Sequence, residues 1–256
     1  MSKNLRKFYE THKNFSDRRI SEYYLSPGIR CKFDILKKHL GNFGSFENGI
    51  DLGCSGNSFL YFFDKVKTKF FLDIVEPALQ QYRSSDMWHP TCADISNLPY
   101  RNNSFDFLSA ISVLEHVKND DHAISEIKRI MKKGSIVVIT VPHRMKYYTS
   151  QDKLIGHYRR YEISQIIKLF KQKQMKLMKI FGIYGQLMRI SDVQSLNPEK
   201  MEENLTRLRK TFESSIMFRI AWSIFVWIGA RLMRIDAKHQ HPRKIMNIGF
   251  IFKNLK

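Results

Sequence analysis

From residue 49 onward, short apolar runs alternate with longer stretches in which apolar positions recur every three or four residues. That alternation predicts a mostly parallel sheet covered by helices. Strands are expected over 49–52, 69–73, 88–93, 104–111 and 135–141. In the last of these, Ile136, Val137, Val138 and Ile139 are consecutive, the pattern of a central strand buried on both faces. Between the strands, helices are expected over 58–66, 77–83 and 120–131. Ile124, Ile127 and Met131 share a face of the third, and Gly134 is its expected stop.

Residues 1–44 are polar and charged and read as an N-terminal helical cover broken at Pro27 and Gly28. Ile29, Phe33, Leu36 and Leu40 mark a helix from 28 or 29 to about 41. Beyond residue 160 the pattern gives a helix over 162–170, a strand over 175–181, a long helix over 212–234 and a strand over 245–252. Residues 182–244 then form a helical insertion between the last two strands, and the final strand completes the sheet. The whole span 1–256 reads as a single α/β domain, a size such a sheet commonly reaches.

Composition narrows the class. With 43% hydrophobic and 26% charged residues and 19 Phe, the chain belongs with ordered globules. Cys31, Cys54 and Cys92 cannot all pair and lack metal-ligand spacing, which points to a reducing, intracellular setting and to no structural metal. Residues 1–15 lack the apolar segment of a secretory signal, so a cytoplasmic location is expected. The net charge of +19 is uneven: residues 151–256 carry 21 basic and eight acidic groups, residues 51–100 only four and six. Nucleic acid, an anionic membrane face and a phosphorylated acceptor are all attracted by such a field.

The first chemically informative segment is Gly49-Ile50-Asp51-Leu52-Gly53-Cys54-Ser55-Gly56-Asn57, where a strand gives way to a helix. Glycine there lets the backbone approach a ligand, and ligands in α/β sheets sit beyond the carboxyl ends of the strands. Asp73, 22 positions after Asp51, ends the second predicted strand, where a carboxylate can accept both hydroxyls of a ribose. Asp94 follows the third strand and Ala110 lies at the end of the fourth, so four strand ends converge on one crevice.

The segments Asp51-Leu52-Gly53-Cys54-Ser55-Gly56, Leu72-Asp73-Ile74, Ala93-Asp94-Ile95 and Ser104-Phe105-Asp106-Phe107, the last leading to Val113-Leu114-Glu115-His116-Val117, resemble the class I S-adenosylmethionine-dependent methyltransferases. Their likeness is to the group acting on small molecules and lipids, and it is carried by residues 45–142. It implies a Rossmann-like, seven-stranded, mostly parallel sheet with helices on both faces and the last strand antiparallel. S-adenosylmethionine is the implied cofactor. Asp51, Gly53, Ser55 and Gly56 would then form the loop and hold the amino-acid end, Asp73 the ribose, Asp94 and Ile95 the adenine, with Ala110 on the floor. Ser55 and Asn57 depart from the family by standing where glycines are usual, and asparagine tolerates positive φ better than most residues. A nicotinamide-type dehydrogenase would use the same strand ends, but the glycine spacing is not Gly-x-Gly-x-x-Gly.

Methyl transfer needs the nucleophile aligned and, for some acceptors, deprotonated. His116, just after the fourth strand, is the leading expected base; His143 and His157 are further catalytic candidates. The segment Gly156-His157-Tyr158-Arg159-Arg160-Tyr161 resembles one found in part of that family, and Glu115, Tyr158, Arg159 and Arg160 are the expected acceptor contacts, Arg159 first. Between Arg219 and Arg231 lie eleven residues rich in Ile, Trp and Phe, fewer than the roughly 20 that cross a bilayer. Two partners suit the 212–234 helix: a second subunit, giving a homodimer, or an anionic lipid surface with the helix lying in its plane, which would make the protein peripheral on the inner face of the membrane. A lipid or lipid-linked acceptor is favoured, with RNA methylation as the alternative and a noncatalytic binding or assembly protein as the third class.

Overall fold

The computed structural model describes residues 3–11, 18–188 and 198–255. Residues 1–2, 12–17 and 189–197, parts of the expected cover and insertion, lie outside the described residues. The chain opens with helices α1 (Lys3–Thr11), α2 (Glu22–Leu25) and α3 (Pro27–Leu40). Pro27 supplies the first turn of α3 and Ser26 caps it, its side chain accepting from the Ile29 amide. Strands β1 (Phe46–Leu52), β2 (Val66–Asp73), β3 (Trp88–Cys92), β4 (Phe105–Ile111) and β5 (Met131–Pro142) follow, with α4 (Glu76–Leu79) after β2 and α5 (Asp120–Ile130) after β4. Then come α6 (Ser150–Leu154), α7 (Ile163–Gln172), β6 (Met175–Tyr184), α8 (Pro198–Ser214), α9 (Ile216–His239) and β7 (Asn247–Asn254).

The strands form one seven-stranded sheet in the order β3-β2-β1-β4-β5-β7-β6. β1 to β5 pair in parallel, and β7 runs antiparallel between β5 and β6. The expected antiparallel last strand therefore lies inside the sheet. Helices cover both faces: Ile124, Ile127, Ile166 and Phe170 of α5 and α7 pack in one core, and Cys31, Leu36 and Ala230 of α3 and α9 in the other.

Three elements depart from the periodicity. No α-helix occupies 58–66; the chain makes only a 3-10 turn over Leu60–Phe62. Phe59, Leu60, Phe62 and Phe63 are all buried, and the Ser58 hydroxyl, which donates to Asp51, accepts from the Leu60 amide. Gly134 does not stop α5: β5 begins at Met131, and Gly134 sits inside that strand at φ +79. There the β4–β5 register jumps from Phe105↔Met131 to Phe107↔Ile136, a bulge that a left-handed glycine accommodates. The expected 212–234 helix is two helices, because Ser215 takes an extended conformation and caps α9 by accepting from the Phe218 amide.

α9 is docked along one side only. Val226, Ala230 and Ala237 are buried, the Trp222 indole donates to the Leu25 carbonyl at 3.1 Å, and Arg234 pairs with Asp34 at 3.3 Å. Ile216, Ile220, Ile224, Trp227, Ile228 and Leu232 remain exposed on the other side.

Phe252 of β7 is fully buried and stacked on Phe170 of α7 at 4.3 Å. Phe252→Ala is expected to lower the unfolding free energy by about 3–5 kcal/mol, read by urea denaturation. A loss below about 1 kcal/mol would show that this stack does not pin α7 to the sheet.

Candidate active site

The glycine loop is held by a buried carboxylate. Asp51, next to last in β1, accepts from Ser109 of β4 at 2.6 Å through one oxygen and from the Ser58 hydroxyl through the other. Burial pushes its pKa up to about 6, opposed by these two hydroxyls. Gly53 turns the chain at φ +64, and a Cβ there would lie 2.6 Å from Val113. At Gly56 a Cβ would collide with the Arg18 carbonyl. Of the two non-glycine positions, Ser55 takes the left-handed conformation (φ 49), whereas Asn57 has no positive φ and donates to Glu22 at 3.0 Å. Asp73, at the end of β2, accepts from the Ser55 amide at 2.8 Å and the Val75 amide at 2.9 Å. It thus fixes the loop against its own strand end.

Beyond β4, the turn Leu114–His116 is clamped by the segment that follows β5. The Tyr158 amide donates to the Glu115 carbonyl at 2.8 Å, and the Tyr161 hydroxyl to the Leu114 carbonyl at 3.0 Å. His157 is oriented by Asp152, whose carboxylate accepts from Nδ1 at 2.6 Å and leaves Nε2 at 3.9 Å from Glu115 Oε1. Arg160 Nε lies 3.0 Å from each oxygen of Asp152, and its Nη2 2.8 Å from Oδ2. Burial alone would raise the Asp152 pKa; the hydrogen bonds from His157 and Arg160 outweigh it and hold the group at about 2.

Glu115 is fully buried, and neither carboxylate oxygen has a hydrogen-bond partner. Burial raises its pKa to about 7 against the pull of His157. His116 is pushed the other way, to about 3, by burial and by His157, and its Nδ1 meets the Tyr9 hydroxyl at 3.1 Å. Among the described residues, Glu115, His116 and His157 bring ligand-type atoms within 4.8 Å of one another, a grouping that the cysteine spacing gave no sign of.

The structure thus gathers Asp51, Gly53, Ser55, Gly56 and Asp73 around one loop, and Glu115, His116, His157, Asp152 and Arg160 around one turn. Asp94 follows β3, its carboxylate accepting from the Ser96 amide at 2.8 Å, and Ile95 is buried in the same core as Ala110. His143 does not join the histidine cluster. Its ring faces the Ile245 carbonyl at 3.1 Å and Glu162 at 3.9 Å, because the backbone after β5 bridges Tyr161 and donates to Met246. Arg159 is committed to Asp120 at 2.7 Å and the Lys118 carbonyl at 2.8 Å, so it braces the rim. Tyr158 is exposed and contributes its amide.

Three groups escaped sequence reasoning. Tyr9 of α1 lies over the crevice and senses both Glu115 and Asp73. The backbone at Arg18 crosses the glycine loop, held by Gln81, whose amide donates to the Arg18 carbonyl at 3.0 Å. Lys32 of α3 carries its ammonium inward toward Glu115, Asp51 and Glu22, and burial, with the Arg18 charge, lowers its pKa to about 8. Each comes from a segment remote in sequence from the motifs, and only a lysine at a helix position facing the sheet would have hinted at Lys32.

Residues 50–139 match a methyltransferase-domain family. An uncharacterised protein of Methanocaldococcus jannaschii is 38% identical over 93 residues, covering 36% of this chain and 40% of that protein. The chain therefore spans about two fifths of that relative's length. A Haemonchus contortus phosphoethanolamine N-methyltransferase, solved with S-adenosyl-L-methionine, superposes with a TM-score of 0.64 at 15% identity, over 98% of this chain and 60% of that one. The Bradyrhizobium japonicum N-methyltransferase NodS, solved with S-adenosylhomocysteine, gives 0.62 at 12% identity, over 97% and 99%. This chain has the class I S-adenosylmethionine-dependent methyltransferase fold.

S-adenosylmethionine and S-adenosylhomocysteine are held by those two solved structures of this fold, and the loop here suits the same group. Gly53 and Gly56 leave no room for side chains of their own, the Ser55 hydroxyl is buried without a partner, and carboxylates stand at the ends of β1 and β2. Asp73→Ala removes the carboxylate that fixes the loop and is expected to weaken S-adenosylhomocysteine binding at least about tenfold by calorimetry, roughly 1.4 kcal/mol. Unchanged affinity in a folded variant would contradict that role. For Glu115, a folded-state pKa raised from 4.5 to about 7 means a contribution to stability that is complete below about pH 4.5. That contribution is lost as pH rises through about 7. Glu115→Gln is expected to stabilise the fold more at pH 8 than at pH 5, by on the order of 2–3 kcal/mol in denaturant titrations; a pH-independent effect would place the carboxyl in water.

Proposed function

We propose that this chain transfers the methyl group of S-adenosylmethionine to a small-molecule acceptor presented at an anionic membrane surface. The methyl-transfer part is supported by the glycine loop, the two strand-end carboxylates beside it and the unpartnered carboxylate of Glu115 on the turn after β4.

The membrane part rests on one observation, the two-sided character of α9. Its 24 residues are long and apolar enough to cross a bilayer. Yet its inner side is tied to α2 and α3 by Trp222, Val226, Ala230 and Arg234, so the folded helix lies along the protein. An apolar outer side on a docked helix suits insertion in the plane of the interface, with Arg231, stacked on Trp227, beside the head groups. The surplus of basic residues after position 150 adds attraction to anionic lipid.

The same helix is wired to the crevice. α9 packs on α3, which delivers Lys32 to the site, and α8 contributes Arg209, paired at 3.0 Å with the Glu22 that holds Asn57 of the glycine loop. An acceptor held at the outer side of α9 would meet the crevice through these elements.

Flotation with phosphatidylcholine vesicles, with and without phosphatidylglycerol, at low and high salt, tests this reading. Wild-type protein is expected to float with anionic vesicles at low salt. A double variant, Ile224→Gln with Trp227→Gln, is expected to lose flotation while keeping its melting temperature and S-adenosylhomocysteine affinity. No flotation under any condition, with a wild-type dimer that the double variant dissociates, would replace the membrane by a second copy of the chain.

A further inference from the structure

We propose that Glu115 receives the proton of the methyl acceptor, and that the acceptor is therefore a protic nucleophile that brings its own O–H or N–H into the space between Glu115 and His157. This inference rests on the methyl-transfer reading above and deepens it.

The carboxylate is built in and left unsatisfied. Glu115 is fully buried with two unpartnered oxygens, whereas its main chain is pinned by the Tyr158 amide. A buried acceptor without a donor carries a cost that native folds rarely retain unless a ligand supplies the donor. His157 Nε2 stands 3.9 Å from Oε1, beyond hydrogen-bond distance. That imidazole is not adrift: Asp152 accepts a hydrogen bond from its Nδ1, and Arg160 and the Thr149 amide hold Asp152. Asp152, Arg160 and His157 are thus positioning residues that keep Nε2 aimed at Glu115. His116, the base expected from sequence, faces Tyr9, and its depressed basicity unfits it for taking a proton near neutral pH.

Charge balance favours the same assignment. Lys32 and Arg18 already bring positive charge near this turn, and Asp51 is spent on Ser58 and Ser109. The cofactor's sulfonium adds another cation, which leaves Glu115 as the carboxylate without a committed partner. In the transfer, a lone pair of the nucleophile forms the bond to the methyl carbon. The carbon–sulfur bond breaks, its electron pair stays on sulfur as the neutral thioether, and the nucleophile's proton passes to a Glu115 oxygen. The ionised carboxylate and the sulfonium are both neutralised. A carboxylate or tertiary-amine acceptor has no proton to give and would leave Glu115 orphaned.

Sinefungin, which carries an amine where the cofactor carries its sulfonium methyl, tests the geometry without a known acceptor. Calorimetry of full-length protein with sinefungin and with S-adenosylhomocysteine, at pH 6 and pH 8, gives the preference for the amine. In wild type that preference is expected to rise about tenfold between the two pH values as a group with a pKa of about 7 ionises. Glu115→Gln, isosteric and uncharged, is expected to keep S-adenosylhomocysteine affinity and abolish the rise. Asp152→Asn should shift the midpoint of the rise. If Glu115→Gln retains the pH-dependent preference, the carboxylate does not face the transferring methyl and the inference falls. If purified wild type retains one equivalent of a divalent metal that Glu115→Gln lacks, the cluster of Glu115, His116 and His157 is a cation site and the inference falls likewise. Failure of wild type to bind S-adenosylhomocysteine at all would overturn the methyl-transfer reading itself.

Discussion

Asp51 stands at the carboxyl end of β1 with one oxygen on Ser109 of β4 and the other on Ser58, beyond the glycine loop. A single buried carboxylate therefore ties two adjacent strands to the loop that leaves one of them. Its two hydroxyl donors offset part of the desolvation of the charge, and removing either would leave an acceptor stranded in the interior. The loop's other fixed points build on this one. Asp73 grips the Ser55 amide from β2, and Tyr82 donates to the Ser55 carbonyl at 2.9 Å while accepting from the Ser58 amide at 2.8 Å. The crevice is thus preorganised by hydrogen bonds to main chain rather than by packing alone.

A second buried ionic arrangement shapes the other end. Arg160 and Asp152 form a close pair whose remaining capacity goes to His157 and to the start of α6. Buried pairs of this sort contribute little net stability, but losing one partner is costly, so they hold geometry more than they hold the fold. Here the geometry concerns one imidazole directed at one carboxylate. The segment from Gly156 to Tyr161 is therefore a brace: Tyr161 and Arg159 meet at Asp120, the first residue of α5, and lock the β4 turn to that helix.

Helices α2 and α3 and the α8–α9 pair pack together. Arg209 to Glu22 to Asn57 runs from α8 to the glycine loop, and α9 reaches the crevice through α3. Glycine at 229 allows the close approach of α9 to Pro27, where a Cβ would stand 3.0 Å from the proline ring. Whatever displaces α9 is in mechanical contact with the groups around the cofactor loop.

The local pattern determined much of this by itself. Runs such as Ile136 to Ile139, periodic apolar positions in α3 and α5, and turn glycines settle secondary structure because burial, hydrogen bonding and backbone sterics act over a few residues. The loop, Asp73 and the β4 turn were legible for that reason, since each sits at a strand end that its own neighbours define. Where local pattern misled, a tertiary contact had intervened: Ser58, tied to Asp51, takes the Leu60 amide where a helix was expected at 58–66, and pairing with β4 drew Gly134 into a strand. What a side chain does at the site depended on groups far along the chain. His116 loses its basicity through burial and His157, Glu115 is left without donors by the way residues 156–161 fold over it, and Lys32 and Arg18 reach the crevice from elements with no motif of their own. Desolvation and charge coupling are properties of the packed interior, so the tertiary structure alone could decide them.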